Sequence, residues 1–245
     1  MSLFRGSSCI QDTIQFVWRP YRSHIRNMSV AKKPILYGDI ASPPVRFTMM
    51  TASVLKVDLD FHNINLFKAE NRTDFYKKIN PLQKIPALSV NDDVIICDSH
   101  AIALYLCRRA KDQELYPDEA SLKAKIDELL FFNSSVLFPI DSSVFSDFFV
   151  GKWPADETKL NEWNTALDYL DLKLKSQAWL TGDKMRLCDI CCGTTVSSLE
   201  ILVPVSDRHP NVKEWLKNLK ALPCFEINGK GLKRLQEFVQ MIGKH

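Results

Sequence analysis

The sequence predicts a small α/β domain followed by an all-α domain. Three observations carry this. Between residues 34 and 109, short apolar strands alternate with helical periods in the order βαβ, a helix, then ββα. A polar, helix-breaking stretch, "AKDQELYPDEA", comes next. Beyond it only helical periodicity remains.

Each element has a local reason. Pro34 to Tyr37 reads as a short strand. Pro43 to Val54 reads as a helix, with Pro43 at its first position and Val45, Met49 or Met50, and Val54 turned to a core. Val57, Leu59 and Phe61 alternate as a second strand, and Asn71 to Ile79 forms a short polar helix. "KIPALSV" and "DVIICD" are strands separated by the turn Asn91-Asp92-Asp93. Ser99 to Arg109 is a helix offering Ile102, Leu104, Tyr105 and Leu106 for burial. The expected boundaries are a basic, disordered extension over 1–31, the α/β domain over 32–111, a linker over 112–120 and the helical domain over 121–245. In the helical part, Ser121 to Gly151 is one long helix kinked at Pro139. Further helices are expected near Glu157–Ser176, Leu187–Leu199, Pro210–Leu222 and Gly231–Ile242.

Composition narrows the function classes. The chain has 245 residues, 46% hydrophobic and 25% charged, ordinary for a globular protein with a substantial core. The net charge is +3, and four arginines against one aspartate in the first 27 residues carry all of it. The remainder is neutral, so no basic face for a nucleic acid is demanded. No uninterrupted apolar run approaches the ~18 residues of a membrane span. Seven cysteines in a chain too long to need staples fit reduced thiols in the cytosol. Cys188, Cys191 and Cys192 form C-x2-C-C, but with no histidine nearby and no fourth ligand they read as small apolar fillers, and no metal is expected. The Arg-rich, acid-poor residues 1–27 resemble a mitochondrial presequence. The other reading is a disordered extension or upstream start, with Met28 opening the core protein. The expected location is cytoplasmic, with mitochondrial as the alternative.

A few residues carry possible chemistry. Ser42, before two prolines, is a natural N-cap worth roughly 0.5–2 kcal/mol. The same hydroxyl at a helix N-terminus also suits an anion. Asp98-Ser99 ends a strand and opens a helix, either as a cap or as a site for a ligand's ammonium and carboxylate. Phe138, Asp141 and Phe145 stand at i, i+3 and i+7, so they share one helix face. An acid among "VLFPI" and "VFSDFF" is unusual, because burying it unpaired is expensive.

The βαβ-ββα half, with a proline before its third strand (Ile85-Pro86), resembles the thioredoxin fold, in which that proline is cis. Redox members carry C-x-x-C after the first strand. Here the place reads Ser42-Pro43-Pro44-Val45, which excludes disulfide exchange at this turn. From Lys32 to Met241, the ordered motifs "SPPVR", "NLFK", "NPLQKIPAL", "DSHAIALYL", "LTGDKMRLCDI" and "HPNVKEWL" resemble a cytosolic glutathione transferase. "DSHAI" and the Ser-Pro-Pro turn most resemble the insect epsilon class, and within it a member associated with ecdysteroid synthesis.

The resemblance implies glutathione as co-substrate, no metal, and a homodimer. It makes Ser42 the donor that favours the glutathione thiolate. Gln83, Ile85, Pro86, Asp98, Ser99 and His100 would hold glutathione, with His100 behind the others. "NPLQKIP" departs from the class's usual "NPQHTIP" at Gln83, which weakens the glycyl-end assignment. The second substrate would be a steroid or other hydrophobic small molecule. Asp141 would accept its hydroxyl, with Pro43, Phe67, Phe138, Phe145 and Ser146 around it. General detoxification of electrophiles and a sterol carrier without turnover are the alternatives. Arg186 stands where the family has Ser or Thr, three residues before Asp189, so a half-missing capping box and a weaker helix start are expected.

Overall fold

A computed structural model describes residues 33–243. The expected extension over 1–31 lies outside the described residues. Four strands, β1 (Ile35–Gly38), β2 (Asp60–Asn63), β3 (Ala87–Asn91) and β4 (Val94–Cys97), form one mixed sheet in the order β2-β1-β3-β4. β1 runs parallel to β2 and antiparallel to β3, and β3 runs antiparallel to β4. The parallel pair is joined by α1 (Pro43–Val54), as a βαβ crossover requires. α2 (Asp74–Ile79) and α3 (Ser99–Ala110) complete a thioredoxin-like domain. Leu36 and Leu88 of the sheet pack with Ala52 of α1 and Ile102 and Leu106 of α3. Tyr76 of α2 packs with Ile64 and Ala87 in a separate cluster.

Two expectations need correction here. β2 does not include Val57 or Leu59; it starts at Asp60 and is exposed throughout, as an edge strand paired on one side only. The polar helix over 71–79 begins only at Asp74, capped by the Thr73 hydroxyl, and Glu70–Arg72 is a separate 3-10 turn. A left-handed Ala69 (φ 55°) separates that turn from its neighbour Leu66–Lys68.

The helical domain holds α4 (Ala120–Phe132), α5 (Phe138–Phe149), α6 (Glu157–Leu174), α7 (Leu187–Leu199), α8 (Pro210–Lys220) and α9 (Phe225–Ile242). α4 and α5 are joined by a π-helical segment, Asn133–Leu137, just before Pro139. The wider turn accommodates a proline that cannot donate to the ladder, where a simple kink was expected. The run from Ala120 to Phe149 is helical for 30 residues, and it is long and apolar enough to cross a membrane. That departs from the sequence expectation. Its apolar side is accounted for by packing: Ile126, Leu129, Leu130, Leu137 and Val144 are buried in the helical core.

α7 sits at the centre, with all 13 residues buried. Three of its four hydroxyls return to backbone carbonyls of the preceding turn: Thr194 to Cys191 at 2.7 Å, Ser197 to Gly193 at 2.6 Å and Ser198 to Thr194 at 2.7 Å. Cys188, Cys191 and Cys192 fill small spaces as buried free thiols. The Arg186 guanidinium has no acceptor to offer α7, and it bonds the Glu114 carbonyl instead. The Asp189 half of the box is complete. Its carboxylate accepts from Arg186 N (2.8 Å), Leu180 N (2.8 Å) and the Trp215 indole (2.9 Å).

The polar linker is pinned rather than loose. Asp112 accepts from Leu115 N and Tyr116 N, both residues are buried, and Leu187 N bonds the Leu115 carbonyl. The two domains share one core, since Phe47 and Met50 of α1 and Ala103 and Cys107 of α3 pack into the helical cluster. α9 begins six residues before the expected Gly231. Gly229 and Gly231 both lie inside the helix, and at Gly231 close packing requires the glycine. A Cβ there would lie 2.2 Å from the Ile40 carbonyl oxygen.

Candidate active site

A cavity of about 670 Å³ opens where the start of α1, the β3 approach and the start of α3 face α5 and α7. Of the residues expected to form the site, Ser42, Gln83, Ile85, Pro86, Asp98, Ser99, His100 and Phe138 line it. Ser42 occupies the N-cap position of α1, but its side chain makes no cap hydrogen bond. Its backbone is fixed instead, by its N–H on the Asp39 carbonyl (2.9 Å) and its carbonyl on Arg46 N (3.1 Å). Ser42 is nearly buried, its side chain is uncommitted to its own helix, and it lines the cavity.

The Ile85-Pro86 peptide is cis. The segment before it is held from below: the Lys84 carbonyl accepts from Tyr76 Oη (2.9 Å) and Asn80 Nδ2 (2.7 Å), and the Gln83 carbonyl from Asn71 Nδ2 (2.9 Å). Gln83 is left-handed (φ 56°). Ile85 precedes Ala87, the first residue of β3 to pair, so its backbone sits at the cavity edge outside the ladder.

Asp98 has φ 151° and caps α3, its Oδ1 accepting from His100 N (2.8 Å) and Ala101 N (3.0 Å). The His100 side chain and these N–H groups hold its carboxyl below the usual carboxylate range, against the pull of partial desolvation. The carboxylate is thus charged at neutral pH and still more than half exposed, with buried Ser99 beside it. The His100 ring lies tilted against Phe47 (ring centres 5.7 Å) and places Nε2 3.3 Å from Cys191 Sγ. Burial pushes the Cys191 thiol well up, so it stands there neutral.

Five expected residues lie outside this lining. The row facing the cavity is Ser134, Phe138, Ser142, and Ser146 lies a turn beyond it, exposed. Asp141 and Phe145 rotate inward, where both are buried. Asp141 is 3% exposed and its Oδ1 has no hydrogen-bond partner. Burial pushes its pKa up to about 8, against the pull of Arg46. Arg46 is itself fully buried, bonded to Asn228 Oδ1 (2.7 Å), the Ile40 and Ala41 carbonyls and the Ser198 hydroxyl. Pro43 is buried and Pro44 takes its place in the lining. Phe67 stacks on Phe238 (ring centres 3.6 Å), while its neighbour Leu66 reaches the cavity.

Sequence reasoning missed several lining residues. Arg72 and Lys84 are among them: Lys84 follows Gln83, and Arg72 follows Asn71, whose amide bonds the Gln83 carbonyl. Phe47 follows Ser42 by a turn and a half on α1, a spacing that was available as a signal. Asn133, which accepts a 2.8 Å bond from Thr195, comes from the π segment, which no periodicity announces.

A thioredoxin-like domain without a redox cysteine, facing a helical domain across one cavity, defines a class of two-domain binding and transfer proteins. Residues 36–114 match the family model "Glutathione S-transferase, N-terminal domain" and residues 133–223 match "Glutathione S-transferase, C-terminal domain". Glutathione S-transferase 1 of Manduca sexta is 31% identical over 196 residues, covering 78% of this chain and 89% of that protein. A glutathione transferase homolog from Drosophila mojavensis, solved with bound glutathione, superposes with a TM-score of 0.80 at 32% identity, over 85% of this chain and 97% of that one. An epsilon-class glutathione S-transferase from the housefly, Musca domestica, gives a TM-score of 0.80 at 31% identity, over 86% and 98%. The chain belongs to the glutathione S-transferase family. It is a glutathione transferase, with glutathione as its co-substrate. The lining carries an acid, Asp98, two bases, Arg72 and Lys84, and Ser42. Among the described residues, no group of three or more His, Cys, Asp or Glu could hold a metal.

Proposed function

We propose that Ser42 donates its hydroxyl to the glutathione sulfur, and that the activated thiolate meets a hydrophobic second ligand in the helical domain. The observation that carries this is Ser42, which lines the cavity and whose side chain spends no bond on its own helix. A free thiol has a pKa near 8.5, about 1.5 units above neutral. A donor together with the N-terminus of α1 lowers the cost of the anion. Asp98 and Ser99 take the γ-glutamyl end, the Ile85 backbone takes the cysteinyl part, and Gln83 lies toward the glycyl end.

The second ligand in this reading is a steroid with a hydroxyl, and the role is in ecdysteroid synthesis or sterol handling. "ILYGDIASPPVR", "NLFKAE" and "LFPIDSS" are similar to Noppera-bo, the insect member associated with ecdysteroid synthesis. Asp141 supports the reading through its buried, unpartnered oxygen, which a ligand hydroxyl would satisfy. Phe138 supplies apolar surface from the cavity lining, while Phe67, Phe145, Pro43 and Ser146 stand outside it. General conjugation of electrophiles is the second reading, favoured by Asp141 lying outside the lining that holds Ser42. The chain would act as a cytoplasmic homodimer; residues 1–27 fused to a fluorescent protein would give a mitochondrial signal if they target that organelle.

Turnover of a model electrophile, run beside steroid competition, separates the readings. Competition together with turnover supports the steroid enzyme. Turnover without competition supports detoxification, and competition without turnover a carrier. Asp141→Ala is expected to weaken steroid binding by about 1–3 kcal/mol and to spare conjugation of a small electrophile. Equal loss of both would contradict the assignment.

A further inference from the structure

The turn that carries Ser42 is held by a carboxylate with no place in the cavity. Asp39 follows β1 and is fully buried. It takes four donors: Arg234 Nε at 2.7 Å and Nη2 at 2.8 Å, Ala41 N at 3.0 Å and Leu66 N at 3.1 Å. Its own carbonyl accepts Ser42 N. One residue therefore ties three segments together: α9, the Ser42 turn and the loop after β2. Two of the three reach the cavity, through Ser42 and Leu66.

α9 meets this turn at a second point. Gly231, one turn before Arg234, lets the helix approach until a Cβ would clash with the Ile40 oxygen. The Arg234 guanidinium also lies over the Phe67 ring at 5.0 Å, and Phe67 stacks on Phe238 of the same helix. Packing alone does not call for an acid here, since a buried ion pair is often no more stabilising than apolar residues of similar volume. What the pair supplies is direction: a bidentate fork admits one geometry. Burial by itself would push the Asp39 carboxyl up, but the bonds from Arg234, Ala41 and Leu66 hold it below the usual range. Because the Ser42 hydroxyl makes no bond to its own helix, the aim of that hydroxyl depends on how the turn is fixed.

We infer that Asp39 and Arg234 are positioning residues for the Ser42 hydroxyl, with α9 as the arm that sets it from the far end of the chain. This rests on the proposed role of Ser42. The test compares parent, Arg234→Met, Arg234→Lys, Asp39→Asn and Ser42→Ala, with Lys230→Ala as a control that removes only the exposed Lys230–Glu226 pair on α9. Ultraviolet titration of the thiolate of bound glutathione and steady-state turnover are read for each, beside a thermal melt.

Arg234→Met is expected to move the thiol titration upward and to lower kcat about tenfold, with KM for glutathione changed by less than about twofold. Arg234→Lys, which keeps the charge but not the fork, should fall between Met and parent. If Arg234→Met does not fold, Arg234→Lys and Asp39→Asn carry the comparison. A lower melting temperature with an unmoved titration and kcat would make the pair merely structural and overturn the inference. If Ser42→Ala moves the titration and the Arg234 variants do not, this inference alone fails. If Ser42→Ala leaves it unmoved, the proposed role of Ser42 fails and the inference with it.

Discussion

Replacing Asp141 with asparagine keeps the side chain's shape and removes a titrating group from the interior. The folded carboxyl has its pKa pushed up to about 8 by burial, against an ordinary value of 3.8. The folded chain therefore holds this proton more tightly than the unfolded chain does. Its contribution to stability is fully present below about pH 3.8. It declines as the unfolded chain sheds the proton and is lost once the pH passes about 8. The slope is at most about 1.4 kcal/mol per pH unit. Between about pH 5 and about pH 7.5 the change integrates to about 3 kcal/mol. Asp189, pushed up to about 6 by burial, titrates in the same window, but it is common to both proteins and cancels in their difference. Urea melts of parent and Asp141→Asn, at one protein concentration over this range, measure the effect. The variant should gain about 3 kcal/mol on the parent as the pH rises. A gap that stays constant with pH would show that the folded Asp141 is not protonated, and would refute the reasoning.

Three further outcomes follow from packing and bonding. Gly231→Ala puts a methyl 2.2 Å from the Ile40 oxygen and 2.3 Å from Arg46 Cδ, and should cost about 1–3 kcal/mol in a thermal or urea melt. Unchanged stability would mean that α9 shifts freely against the Ser42 turn. Arg46→Met strands two carbonyls and the Asn228 Oδ1, and should cost about 3–5 kcal/mol by the same melts, whereas a loss below about 1 kcal/mol would contradict the bonding described. Asp189→Asn removes the acceptor from one of three donors and should cost about 1–3 kcal/mol at neutral pH; an unaltered melt would show that the start of α7 does not depend on it.

Much of the fold was legible because its signals are local. Pro43 to Val54 and Leu187 to Leu199 fall where the periodicity and flanking residues put them. The site half on the sheet domain was legible for a related reason: Ser42, Ile85-Pro86 and Asp98-Ser99 sit at element ends, where a turn fixes direction. The helical half was less so. Helix spacing correctly puts Phe138, Asp141 and Phe145 on one side, but that side is broad. The π segment and neighbouring α7 decide which edge of it meets the cavity. The start of α9 lies six residues before the expected Gly231: two glycines, poor helix formers, stand within its first two turns, and one of them serves close packing. The Asp39–Arg234 pair spans 195 positions, and no local pattern reveals it.

The most direct test of the account is the thiol pKa of bound glutathione in the parent and in Ser42→Ala, read by ultraviolet titration beside a thermal melt. The hydroxyl makes no cap bond, so the usual cap loss of about 1 kcal/mol is not expected and the melting temperature should hold. The thiol should titrate at higher pH in the variant, and turnover should fall. An unmoved titration with a lowered melting temperature would make Ser42 a helix cap and nothing more.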